Sequence, residues 1–182
     1  MKIIFAAALA ALSFGAPAMA QTAPDGSPAF GIKPYIGLLG GTHTVDRNVL
    51  SSPQSGRFHG EVIEAVGGIN IPLGPVFVGA EGHVARGFRD IEWEYGAKGR
   101  FGFRAGDSGL IFASAGYKWV EAKENRGFDD MKGMIYGVGV EVGPRDIGLG
   151  GLTSSAGPRI RLQVETMEWD SLRPMAGLVF HF

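Results

Sequence analysis

The dominant signal along the chain is alternation of apolar and polar residues with a period of two, the mark of strands with two unlike faces. It is clearest from Ile91 to Ala105. There Ile91, Trp93, Tyr95, Ala97, Gly99, Phe101 and Phe103 lie on one face, and Glu92, Glu94, Gly96, Lys98, Arg100, Gly102 and Arg104 on the other. Seven further segments repeat the pattern. Phe30–Gly41 sets Ile32, Pro34, Ile36 and Leu38 against Lys33, Tyr35, Gly37 and Leu39. Val76–Phe88 sets Val76, Val78, Ala80, Gly82 and Val84 against Phe77, Gly79, Glu81 and His83. Gly109–Val120, Met131–Val142, Arg159–Trp169 and Arg173–Phe182 alternate in the same way. Arg57–Ile69 begins cleanly, with Phe58, Gly60 and Val62 opposite His59 and Glu61, then slips at Ile63-Glu64. That slip predicts a bulge or a different register.

No stretch from Phe30 onward has helical period and caps, and glycine costs a helix interior about 1 kcal/mol. The segments are separated by Gly, Pro and Asp turns and exceed the usual soluble strand of about 5 to 6 residues. They match the 9 to 11 residues that a tilted strand needs to cross a membrane. The reading is therefore all-β, an eight-stranded antiparallel transmembrane barrel over residues 30–182. Closure also removes exposed strand edges.

A soluble lipocalin-like barrel shares the strand count and would turn its apolar face inward. Glycine favours the membrane barrel. Gly79, Gly96, Gly102, Gly116, Gly137, Gly139 and Gly177 lie on the charged face, where they relieve crowding inside a narrow lumen and would pack nothing in water. The charged face carries Lys33, Lys98, Arg100, Arg104, Lys118, Arg159 and Arg161 against Glu61, Glu81, Glu92, Glu94, Glu141 and Glu165, a balance suited to internal ion pairs. A turn near Arg89-Asp90 would set Glu81 opposite Lys98. One near Asp107-Ser108 would set Gly96 opposite Lys118, with Glu94 diagonal to it. With a periplasmic N-terminus, Trp93, Tyr95, Tyr117, Trp119 and Tyr136 form an outer aromatic belt, and Phe101, Phe103, Phe180 and Phe182 an inner one.

The first residues carry a different pattern. Lys2, an apolar run from Ile3 to Leu12, and Ala18-Met19-Ala20 have the three parts of an export signal, with cleavage expected after Ala20. The run is too short for a bilayer-spanning helix. Residues 21–29 read as a loose polar tail.

Composition narrows the function classes. The chain holds 17 Lys+Arg against 18 Asp+Glu, so it has no basic footprint for nucleic acid. It has no cysteine, which removes disulfides, thiolate nucleophiles and zinc–thiolate sites. Its 30 glycines follow no collagen period. Gly148-Leu-Gly-Gly151 lacks the Lys-Ser/Thr of a phosphate loop, and no carboxylate run has calcium-loop spacing. No catalytic, cofactor-binding or metal site is expected.

The segment Arg173-Pro-Met-Ala-Gly-Leu-Val-Phe-His-Phe182 resembles the closing strand of bacterial outer-membrane barrels, with Phe182 as the terminal aromatic. Leu110–Trp119 and Ile135–Glu141 are similar to strands of the opacity-like, or OmpA-like beta-barrel, family. The resemblance covers Phe30 to Phe182. It implies residence in the outer membrane of a Gram-negative bacterium, contact with lipid and lipopolysaccharide, and delivery by the barrel-assembly machinery reading the strand that ends in Phe182. It also implies a monomeric, surface-exposed, antigen-like role. Small barrels of that membrane include lipid A deacylases, which show a His-x-Ser pair. Here His43, His59 and His83 are followed two places on by Val45, Glu61 and Ala85, and none matches. His59 with Glu61 or His83 with Glu81 could share a face as lumen polar residues. The expected function is a structural or surface-exposed barrel with a narrow charged lumen. The alternatives are a narrow porin-like channel and a soluble periplasmic binder. Val45–Gly56 and Lys123–Asp130 are the candidate outer loops, where recognition would be met.

Overall fold

Strong alternation over long segments leaves each strand with one face to bury, and closing the sheet on itself buries eight such faces against one another. The computed structural model describes residues 31–45, 58–105, 108–122, 130–143 and 157–182. The readings made for residues 1–29, for Phe30, for the loops at 46–57 and 123–129, for Asp107 and for residues 144–156 lie outside them.

The strands are β1 (Lys33–Val45), β2 (Phe58–Leu73), β3 (Val76–Gly87), β4 (Ile91–Ala105), β5 (Gly109–Ala122), β6 (Met131–Val142), β7 (Gly157–Met167) and β8 (Ser171–His181). Each pairs antiparallel with its neighbours in sequence, and β8 pairs with β1 to close the barrel. Following direct neighbours from Gly40 through Ile63, Arg86 and Trp93 leads to Glu121 on β5. In the other direction Ala176, Leu162 and Val140 lead to Ile111 on the same strand. The circuit misses itself by ten residues, from 111 to 121. Such stagger tilts the strands strongly against the barrel axis.

The end holding the β2–β3 turn and the start of β1 is here the terminal end, and the other the distal end. At the terminal end the β2–β3 turn is made by Gly74, at φ 72, and Pro75, whose carbonyl accepts from Arg104 N at 2.9 Å. At the distal end Glu168 and Trp169 join β7 to β8 with φ 52 and 68, and Asp170 N donates to Met167 O at 3.0 Å. Two left-handed residues in a row are the geometry of a tight hairpin turn, ordinarily given to Asn and Gly. Glu168 is held there by β6. Its N–H donates to Met134 O at 3.0 Å, and its carboxylate accepts from Met134 N at 2.6 Å.

The face assignments hold on β1, β3, β5, β6, β7 and β8; on β2 the different register, and not the bulge, is what forms, and the start of β4 departs from its expected faces. β2 runs without a bulge, with unbroken pairing to β1 and β3 through Ile63 and Glu64. Val62, Glu64 and Val66 point inward, while Glu61 points outward to Arg89 at 2.8 Å. The irregularity lies in β4 instead, where pairing to β5 shifts between Ile91 and Trp93. An extra residue there turns Ile91 inward and leaves Glu92 outside, 3.5 Å from Arg86. Glu61 and Glu92 therefore do not belong to the lumen.

Candidate functional site

The outward surface is apolar across the middle of every strand. Ile36 and Leu38, Ile63, Val78 and Val84, Phe101 and Phe103, Ile111, Val138, Leu162 and Val164, and Leu178 and Phe180 all stand exposed, Val138 at 64% and Leu178 at 56%. An exposed apolar area of this extent marks an interaction surface. Both expected belts are present on it. Toward the distal end Tyr95 stacks on Trp119 with centroids 5.7 Å apart, and Tyr117 meets Trp119 edge-on at 4.9 Å. Tyr136 stacks on Trp169 at 5.2 Å, which adds to the belt a residue that the alternation had placed at the end of a strand. Arg86 lies over the Trp93 ring at 4.7 Å. Toward the terminal end Phe101, Phe103, Phe180 and Phe182 are exposed.

The lumen is layered. At the distal end Val45, Val62, Ala85, Ile91, Val120, Ala122 and Met167 belong to one buried apolar cluster. At the terminal end Phe77, Leu110 and Phe112 form another. Arg100 sits against this second cluster, its guanidinium 3.9 Å from the Phe112 ring centroid and 5.0 Å from that of Tyr35. Tyr35 in turn stacks on His181 at 5.1 Å.

Between the apolar layers the five cations Lys98, Arg100, Lys118, Arg161 and Arg173 meet the five carboxylates Glu64, Glu81, Glu94, Glu141 and Glu165, all of them buried. In the terminal half Arg100 and Arg161 both bind Glu141 at 2.8 Å and also reach Glu81. Tyr35 OH donates to Glu81 at 2.7 Å, and His181 bonds Glu141 at 2.7 Å. In the distal half Arg173 binds Glu64 at 2.6 Å, Glu94 at 2.9 Å and Glu165 at 2.9 Å. Lys118 binds Glu165 at 3.1 Å and Glu94 at 3.5 Å. Lys98 joins the halves through Glu81, at 2.9 Å, and Glu165. Buried charges persist only where paired this fully.

The two expected juxtapositions are present. Glu81 faces Lys98, and Gly96 faces Lys118 with Glu94 diagonal to it. Three members of the network were not anticipated. Glu64 was hidden by the register slip. Arg173 lay on the inward parity of β8 without being counted, and His43 lay beyond the expected end of β1. The glycines act as expected: at Gly102 and Gly116 a side chain would strike the backbone of the neighbouring strand.

Neither candidate His/Glu pair forms a dyad. His59 bonds Thr44 at 2.9 Å on the outer surface, while Glu61 is taken by Arg89. His83 lies in the lumen with no hydrogen-bond partner on either ring nitrogen, and Glu81 serves Tyr35, Lys98, Arg100 and Arg161. Among the described residues no group of three or more His, Asp or Glu side chains could hold a metal ion.

No family model matches the chain, and no curated protein does. Solved structures do. Neisserial surface protein A aligns over 84% of this chain and 99% of its own, at 10% identity and a TM-score of 0.52. The Yersinia pestis outer membrane protein Ail aligns over 81% of this chain and 99% of its own, at 13% identity and a TM-score of 0.44. A de novo designed transmembrane β-barrel aligns over 90% of this chain and 100% of its own, at 10% identity and a TM-score of 0.49. At these identities the likeness is one of fold, and the fold is a closed eight-stranded antiparallel β-barrel similar to that of Neisserial surface protein A.

Proposed function

We propose that this protein is a non-conducting outer-membrane barrel of a Gram-negative bacterium with a structural or surface-exposed role, exported by the leader read in residues 1–20. One observation carries the reading: the apolar face is outside and the charged face inside, the reverse of a soluble ligand-binding barrel. Aromatic belts at both ends of the apolar band suit the two interfaces of a lipid bilayer. The partners on this reading are membrane lipid and lipopolysaccharide along the outward face, and the assembly machinery at β8 with Phe180 and Phe182. No catalytic role is proposed.

The lumen bears on the porin-like alternative. A conducting pore needs continuous water, whereas here an ion-paired network is closed above and below by apolar clusters. Fractionation and planar-bilayer recording test both parts. The protein should be extracted from the outer-membrane fraction by detergent and not by osmotic shock. It should change gel mobility on boiling, and it should give no stable single-channel steps. Release by osmotic shock would overturn the location, and steady conductance steps would overturn the closed lumen.

A further inference from the structure

The ladder that closes the barrel is interrupted. β1 and β8 pair without a gap from Tyr35–His181 to Gly41–Met175 and again at Thr44–Leu172 and Val45–Ser171, but Thr42–Pro174 and His43–Arg173 are unpaired. Proline has no N–H to give a ladder and is ordinarily kept out of paired strands. The carbonyl of Pro174 faces β1, so close to Gly41 that no side chain fits there. In an antiparallel strand a residue's N–H and C=O point to the same neighbour, so the missing donor also faces β1. The outside offers no brace either. Gly40, Pro174 and Ala176 form part of the lining of an apolar depression of about 590 Å³ on the outward surface.

The inside does offer one. His43 and Arg173, the pair missing next to Pro174, send their side chains to the same carboxylate. His43 Nδ1 lies 2.6 Å from Glu94 Oε1, and Arg173 Nε lies 2.9 Å from Glu94 Oε2. Glu94 belongs to β4, outside the seam, and is fully buried. Arg173 is further tied to Glu64 on β2 and Glu165 on β7.

We propose that Glu94 is a latch that holds the distal part of the β1–β8 seam shut from within, at the place where Pro174 denies it a backbone donor, and that this stretch is where the barrel opens laterally. The latch depends on the closed barrel and not on where the barrel resides. Removing the Glu94 carboxylate leaves Arg173 and His43 without their shared partner, and no common side-chain anchor then makes up for the donor that Pro174 lacks.

Amide hydrogen exchange on the full barrel in detergent micelles tests this. In the unaltered protein the seam-facing amides of Thr42, Thr44 and Leu172 should exchange about tenfold or more faster than those of Ile36, Leu38, Leu178 and Phe180 in the same seam. Glu94→Gln should speed the first group further and leave the second unchanged. Pro174→Val, which restores a donor, should slow the first group and should offset Glu94→Gln in the double variant. If Glu94→Gln does not fold, Pro174→Val in the unaltered background decides. Uniform protection along the seam would overturn the latch, as would no response to Pro174→Val or an equal acceleration all around the barrel.

Discussion

Glu81 and Lys98 stand directly opposite each other on β3 and β4, and Lys98 Nζ lies 2.9 Å from Glu81 Oε1 in the barrel lumen. The same ammonium also binds Glu165 on β7, so one side chain ties together the two halves of the ion-pair network across the barrel. Its removal strands charge on both sides. Lys98→Met should cost about 3–5 kcal/mol, the usual range for breaking a buried pair by deleting one partner. Urea titration of the refolded barrel measures it. Glu81→Gln combined with Lys98→Met should cost less than the two single changes added, by about 1 kcal/mol or more. Additive costs would mean that the pair does not act as a unit.

Glycines on the two faces should respond in opposite ways. At Gly177 a Cβ would meet Leu38 O and lie 2.6 Å from Leu39 Cα, backbone that cannot move aside. At Gly40 it would meet nothing within 4 Å. Gly177→Val should therefore destabilise by about 1–3 kcal/mol or block folding, as overpacking does. Gly40→Val should stay within about 1 kcal/mol of the parent, since a β-branched residue suits an outward strand position. The same urea titration compares them.

Depth along the outward face should set the cost of a charge. Val138 lies in the middle of β6, and Trp169 at the distal turn. In a bilayer, Val138→Arg should cost about 2–4 kcal/mol and Trp169→Arg about 0–1 kcal/mol beyond the loss of its ring contact. Vesicle-reconstituted protein, unfolded in denaturant, reports both. Equal costs would contradict an embedded band.

Six strands were legible because their two faces differ in chemistry along their whole length, as on β7, where Ile160, Leu162 and Val164 alternate with Arg159, Arg161, Gln163 and Glu165. The parity failed where the lumen itself is apolar. Val62, Ala85 and Ile91 fill the distal end of the interior, so at that level hydrophobicity no longer tells inside from outside. Glu61 and Glu92 then looked like lumen charges, although each is held outside by an arginine from a turn or a neighbouring strand. The network partners Glu64, Arg173 and His43 depend on shear between strands distant in sequence, which no local pattern carries. The direct neighbours Glu81 and Lys98 were legible because one tight turn fixes their register.

The orientation of the two faces is tested most directly by spin labels placed one at a time along β8. The chain has no cysteine, so single substitutions by cysteine at positions 175, 176, 178, 179 and 180 give one label each. In vesicles, collision with dissolved oxygen reports lipid contact, and collision with a water-soluble nickel complex reports aqueous contact. Labels at Ala176, Leu178 and Phe180 should show high oxygen and low nickel accessibility. Labels at Met175 and Val179 should be shielded from both, giving a period of two. High nickel accessibility at Ala176, Leu178 and Phe180, or a period of two with the opposite phase, would contradict a membrane barrel with its apolar face outside.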